Sequence, residues 1–122
     1  YGLPNPQINS SESPYHNHDF RPGAKVYAGH SGSLLDEPSK TIKAGAHGVP
    51  GGENMIVLDD GSVRYYTVRE SARIQTFPDE YVFSSSWTES MRQIGNAVPV
   101  KLAHIIGSSV YDKMERMKRD AS

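Results

Sequence analysis

Gly95-Asn96, with Ala97, Val98 and Pro99 behind it, makes a corner between two helix-shaped runs, and its residue types raise the question of what it holds. A glycine admits close backbone approach, and a lone amide carries paired donor and acceptor groups. An ordinary helix C-cap, with Asn96 beginning the next turn, uses the same residues. Upstream, Arg64, Arg69 and Arg73 stand around Glu70. They suit a scaffold of charge-assisted hydrogen bonds that anchors a hairpin to a helix, and a solvated basic helix face suits each of them equally.

Other constellations fall short of chemistry. His16 and His18, with His30 and His47, lie in loop-like sequence without a companion cysteine or a helical histidine pair, and read as exposed polar histidines rather than metal ligands. Gly29-His30-Ser31-Gly32-Ser33 nearly spells a hydrolase elbow, and Asp79 and His104 follow in the order such a triad takes. The fifth position is Ser33, however, and that elbow belongs to a large parallel sheet for which 122 residues leave no room. Residues 48–52 lack the Gly-Lys-Ser/Thr ending of a phosphate-cradling loop. With no cysteine in the chain, disulfides, thiolate zinc sites and a cysteine nucleophile are excluded within it.

Periodicity and punctuation give the elements that must position these residues. Residues 1–24 are dense in Pro, Asn, Ser and His without a helical or strand period, and read as an extended arm or linker. Short strands are expected at 25–28 and 41–44, with a glycine-rich loop at 45–54. Residues 55–58 and 63–67 flank Asp59-Asp60-Gly61-Ser62, a hairpin signal because Asp-Gly tolerates the positive φ of tight turns. Thr67 and Glu70 have capping-box spacing, so a helix is expected over 68–75, stopped by Pro78. Ser86 and Glu89 repeat the device for a second short helix, which aligns Trp87, Met91 and Ile94 on one face and ends at Gly95. Pro99 is tolerable in a first turn, after which Leu102, Ile106, Val110, Met114 and Met117 form a stripe at spacings of four and three. The expected class is α+β: a loop-rich region with short strands and a β-hairpin, then two short helices and one longer C-terminal amphipathic helix with a basic, solvated tip at 113–119.

Bulk composition bounds the partners. Apolar residues make up 36% of the chain and its mean hydropathy is −0.58, low for a self-sufficient core. Thirteen Lys and Arg against fourteen Asp and Glu leave a net charge of −1, so any nucleic-acid contact must be local. No apolar run approaches the roughly 18 residues of a membrane span, so no membrane partner is expected. A start at Tyr1, with neither Met nor a signal-like pattern, reads as a piece or a processed form.

The run RYYTVRESARIQTFP at 64–78, followed by QIGNAVP at 93–99, resembles the last two sequence blocks of the DNA (cytosine-5) methyltransferases. Those blocks read Arg-x-x-Ser/Thr-x-Arg-Glu-x-Ala-Arg-x-Gln-x-Phe-Pro and Gln-x-Gly-Asn-Ser/Ala-Val. The resemblance covers residues 64–110, in order and at ordinary spacing, with Val100 where many relatives have a second proline. It implies a structural role for Arg64, Arg69, Glu70, Arg73, Gln75 and Gln93, in a block that joins a recognition domain to a catalytic domain. It also implies that Gly95, Asn96, Ala97 and Val98 line the pocket for S-adenosylmethionine. Residues 38–45, PSKTIKAG, resemble the Thr-Ile/Leu element of the family's target-recognition domain. That likeness implies contacts to double-stranded DNA from Lys40, Thr41, Ile42, Lys43, Gly45 and His47, with threonine at a base edge, lysines on phosphates and glycines admitting the duplex.

In that family a thiolate adds at C6 of a flipped cytosine before C5 takes the methyl group. This chain has no thiol, and it lacks the family's Phe-x-Gly-x-Gly, Pro-Cys and Gln-x-Arg-x-Arg blocks. Glu53-Asn54-Met55 imitates the family's Glu-Asn-Val block by accident, because it falls after the recognition element instead of before it. The expectation is the C-terminal portion of a cytosine-5 DNA methyltransferase: an arm at 1–24, part of the target-recognition domain at 25–66, and a helical segment at 67–122 that packs back on a catalytic domain. By itself the chain is expected to be inactive, the catalytic region coming in cis or as a separate chain. A stand-alone DNA-binding or regulatory remnant and a fragment of an RNA cytosine methyltransferase stay open as alternatives. The family's commonest setting, restriction-modification in a bacterium, implies a cytoplasmic, nucleoid-associated protein.

Overall fold

The computed structural model describes residues 2–6, 13–44 and 54–122. Three short strands and three helices follow in order: β1 (Ser33–Leu34), β2 (Met55–Val57), β3 (Val63–Tyr65), α1 (Val68–Ile74), α2 (Trp87–Asn96) and α3 (Val100–Asp120). The sheet order is β1-β2-β3, parallel between β1 and β2 and antiparallel between β2 and β3, with Ile56 opposite Ser33 on one side and Arg64 on the other. This is the expected α+β arrangement.

Local chemistry accounts for most of the elements. The β2–β3 hairpin closes with Gly61 at φ +82°, the Leu58 amide donating to the Ser62 carbonyl at 2.8 Å, and the Asp60 carboxylate accepting from the Ser62 amide at 2.9 Å. At the head of α1 the Thr67 hydroxyl accepts from the Glu70 amide at 3.1 Å and the Glu70 carboxylate accepts from the Thr67 amide at 2.9 Å, a complete capping box. α2 has half of one. The Ser86 hydroxyl accepts from the Glu89 amide at 3.3 Å, but the Glu89 carboxylate turns along the helix to Arg92 and Gln93. The core gathers Ile56, Tyr66, Val68, Ala72, Phe83, Met91 and Ile94, with Ile42 brought in from the loop-rich region.

Several expectations change. Residues 25–28 are not a strand: Tyr27 and His30 bond to each other across a turn in which Gly29 takes φ +79°. Residues 41–44 stay outside the sheet, because both backbone groups of Lys43 are taken by the side chain of Asn54 instead of a neighbouring strand. β1, at 33–34, occupies the edge of the sheet in their place. α2 runs through Gly95 to Asn96, so Gly95-Asn96 is the last turn of the helix and the corner itself is Ala97-Val98-Pro99.

The arm is more than a linker. Asn17, in the left-handed region at φ +61°, pairs its amide with both backbone groups of Phe83 at 2.8 and 2.9 Å, and its carbonyl accepts from the Arg69 amide at 2.9 Å. His18, expected to be exposed, is 2% exposed. Its Nε2 donates to the Pro4 carbonyl at 2.6 Å, and its Nδ1 lies 2.9 Å from the Thr67 hydroxyl.

α3 has 21 residues, none of them buried. Among the described residues it packs on no other element, and its expected stripe at Leu102, Ile106, Val110, Met114 and Met117 is exposed along its whole length. No helix in the described residues is long and apolar enough to cross a membrane.

Candidate functional site

A polar frame around α1 sets the positions of everything else. Arg64 on β3 meets Glu70 on α1 through two parallel hydrogen bonds of 2.8 Å, with both side chains less than a tenth exposed. One carboxylate thus closes the helix cap and ties the hairpin to the helix. Arg69 is wholly buried and, among the described residues, bonds to no carboxylate. Its guanidinium donates to the carbonyls of His16 at 2.8 Å, Pro78 at 3.2 Å and Tyr81 at 2.6 Å, joining the arm to the loop after α1. Burial lowers its pKa from the ordinary guanidinium value. Arg73, nearer solvent, clasps Asp79 at 2.9 and 2.6 Å and lies 5.4 Å from the Tyr15 ring. Those hydrogen bonds raise the pKa of Arg73 and hold the Asp79 carboxyl below the usual carboxylate range.

The end of α1 fastens the corner. The Gln75 side-chain amide donates to the carbonyls of Ile94 and Ala97, both at 3.0 Å, which satisfies the end of α2. The Gln75 carbonyl accepts from the Val100 amide at 3.0 Å and the Thr76 hydroxyl accepts from the Lys101 amide at 2.8 Å, which satisfies the start of α3. Thr76 is held at φ +60° to do this, a rare conformation for a β-branched residue that costs about 1–3 kcal/mol. The clamp leaves Asn96 exposed, Ala97 half-buried and Val98 58% exposed. Gly95 faces the other way. A Cβ there would lie 2.5 Å from the Ala44 nitrogen and 2.7 Å from the Lys43 carbonyl carbon, so the close approach this glycine permits is to the chain's own backbone. Gln93 donates to Glu89 at 3.1 Å on the exposed side of α2.

In the segment at 38–44, Lys40, Thr41 and Lys43 are exposed, and the Lys40 ammonium lies 3.2 Å from the Ser31 hydroxyl. Ile42, expected to face DNA, is instead 4% exposed and belongs to the core. Alternate side chains of an extended segment point to opposite sides, so burying Ile42 is what turns Thr41 and Lys43 outward. Gly45 and His47 lie outside the described residues. Asn54, 1% exposed, accepts from the Lys43 amide at 3.1 Å and donates to the Lys43 carbonyl at 3.0 Å. Sequence reasoning assigned no role to Asn54, Asn17 or Thr76. For Asn54 a signal exists: it is a lone amide where a glycine-rich loop runs into an apolar strand, a place where a buried polar side chain must find backbone partners.

Asp79 is committed to Arg73, and His104 lies exposed on α3. Among the described residues, no group of three or more His, Asp or Glu could hold a metal ion.

Comparison with known proteins supplies the family. The family model described as C-5 cytosine-specific DNA methylase matches residues 6–112. Type II methyltransferase M.Eco47II of Escherichia coli is 40% identical over 84 residues, covering 69% of this chain and 19% of that protein. Type II methyltransferase M.HindV of Haemophilus influenzae is 40% identical over 81 residues, 62% of this chain and 27% of the relative. Type II methyltransferase M.Sau96I of Staphylococcus aureus is 57% identical over 47 residues, 38% of this chain and 11% of the relative. The chain therefore spans about a quarter or less of the length of these curated relatives. A match extending over residues 6–112 takes in the arm, the sheet, the polar frame and the clamped corner together, and the chain belongs to the C-5 cytosine-specific DNA methylases.

Proposed function

We propose that the chain supplies the target-recognition face and one wall of the S-adenosylmethionine pocket of a DNA (cytosine-5) methyltransferase, and that methylation needs a catalytic region bearing the thiolate. The observation that carries this reading is the clamp from Gln75 and Thr76, which holds the 94–101 corner while Asn96 and Val98 face outward uncovered. Asn96 offers a donor and an acceptor, and Ala97 and Val98 offer a small apolar ledge. That set fits a ligand with both a polar nucleoside and an aliphatic portion. The bound cofactor supplies the electrophilic methyl group. Asn96, Ala97 and Val98 bind and orient it, with Gly95 behind them packed on Lys43 and Ala44. On the other side of that packing, Lys40 and Lys43 meet phosphates and Thr41 meets a base edge, and Gly45 and His47 contact the duplex as well. α3 lays its apolar stripe on the catalytic region, in the same chain or another. The bacterial Type II relatives favour a cytoplasmic, nucleoid-associated setting.

The test is Asn96→Ala in the complete enzyme. Losing one hydrogen-bonding group should weaken S-adenosylmethionine binding roughly tenfold, while affinity for duplex DNA stays within about twofold. Unchanged cofactor affinity removes the pocket assignment. Methylation of tRNA in preference to duplex DNA by the same preparation removes the substrate assignment.

A further inference from the structure

We infer that Gly95 and Asn54 are positioning residues for DNA recognition: together they fix the backbone at Lys43 and Ala44, and so the direction in which Thr41 and Lys43 face. The inference rests on the DNA face proposed above and assigns work to two residues outside it. Asn54 grips Lys43 at both backbone groups, at 3.1 and 3.0 Å, from a site that is 1% exposed. Ile42, one residue earlier, is buried in the core. Gly95 closes the third side, its Cα face against Ala44 and Lys43, where even a methyl group would stand 2.5–2.7 Å from backbone atoms.

These three contacts come from three different parts of the fold: the head of β2, the core, and the last turn of α2. Backbone cannot rotate aside as a side chain does, so a Cβ at residue 95 must push the 43–44 segment or α2 away by roughly 1 Å to regain ordinary contact, a displacement large enough to cost two orders of magnitude in a positioned reaction. Asn96 follows directly on Gly95. The proposed cofactor wall and the proposed DNA face therefore share one backbone contact, and neighbouring residues in α2 serve different ligands.

The experiment uses the complete enzyme with a pool of duplex DNA carrying a randomised segment, methylated cytosines being read by their resistance to bisulfite. The wild-type enzyme is measured first; failure to methylate any duplex removes the proposed function and this inference with it. Given wild-type activity, Gly95→Ala and Asn54→Ala should each raise KM for DNA roughly tenfold or more and broaden the set of sequences methylated, while in Asn54→Ala, whose side chain lies away from the corner, KM for S-adenosylmethionine stays within about twofold. A rise in KM for the cofactor with DNA parameters unchanged overturns the inference and makes Gly95 part of the pocket alone. An equal fall in kcat with neither KM nor sequence preference altered overturns it as well, since that is what general loosening of the fold produces. If Gly95→Ala does not accumulate as folded protein, Asn54→Ala, which only truncates a side chain, decides the matter by the same readouts.

Discussion

Around α1 the interior is polar: Arg69, Glu70 and Ser71 are buried on the helix, with Arg64 and Thr67 packed against it, whereas along α3 the surface is hydrocarbon, with Leu102, Ile105, Ile106, Val110, Met114 and Met117 all exposed. Each helix departs from the usual distribution, α1 by burying three polar residues beside Val68 and Ala72 and α3 by exposing its apolar ones, and for a different reason. α1 has seven residues, too few to persist on its own hydrogen bonds. It persists because its side chains are bonded to the arm, the hairpin and the loop at 78–81, so that buried charge costs little. α3 has 21 residues and can carry its own backbone bonds. Its apolar stripe contributes nothing within the described chain, and exposure on that scale marks an interaction surface. One helix is the internal fastening of the arm, sheet and loops, and the other is, on the function proposed, the surface by which they join the rest of the enzyme.

Removing Arg69 should break the fastening most severely. Arg69→Ala leaves three carbonyls, of His16, Pro78 and Tyr81, without their donor, and a cavity where a wholly buried side chain stood. At about 1–3 kcal/mol for each unsatisfied group, and less than additively, local stability should fall by about 4 kcal/mol. Amide hydrogen exchange over 68–72 in the complete enzyme should accelerate on the order of a thousandfold. Arg69→Lys should recover only part, because one ammonium cannot span three carbonyls that a planar fork reaches at once. Exchange unchanged in Arg69→Ala would mean that α1 is held by apolar packing and that the contrast with α3 is superficial.

Glu70→Gln is the next cut. It keeps the shape of the cap but removes the charge facing Arg64, whose Nε already lacks a partner among the described residues. A loss of about 2–3 kcal/mol is expected at the hairpin–helix junction. Arg64→Met combined with Glu70→Gln should be milder than Glu70→Gln alone, since no charge is then left buried and unpaired. A double variant as damaged as the sum of the two would show that the pair acts through shape and not through charge.

How much of this is legible in the sequence depends on the distance between partners. The capping box of Thr67 and Glu70, the Asp60-Gly61 turn and the stripe of α3 are readable because each lies within a few residues of itself. Asn17 finds Phe83 across 66 positions and His18 finds Thr67 across 49, and no local pattern announces either, so the arm resembles a linker. Ile42 sits in a motif whose neighbours face outward, and only the tertiary core reveals that it turns inward. Gly95 is the most instructive case. A glycine there says that something comes close, but the sequence cannot say whether that is a ligand or the chain's own Ala44. The residues of the corner are legible, while the direction each one faces is not.

The mildest expected effect on the chain's own stability comes from α3, and it sharpens the contrast most. Ile106→Asp and Val110→Asp place carboxylates on side chains that are already half exposed and, among the described residues, contact no other element, so exchange within 54–98 should change by less than about 0.5 kcal/mol. On the function proposed, the same substitutions should sharply weaken the union of this chain's segment with a catalytic region, because a buried carboxylate without a partner is costly wherever the stripe is covered. Limited proteolysis of the complete enzyme would show it: cleavage within 100–120 should appear in the variants and be absent from the wild type. Asp substitutions that leave this helix protected would mean that a different face of α3 is covered, and the apolar stripe would then need another occupant. Protection lost in α3 with the polar frame around α1 intact would establish that fastening and joining are separable properties of the two helices.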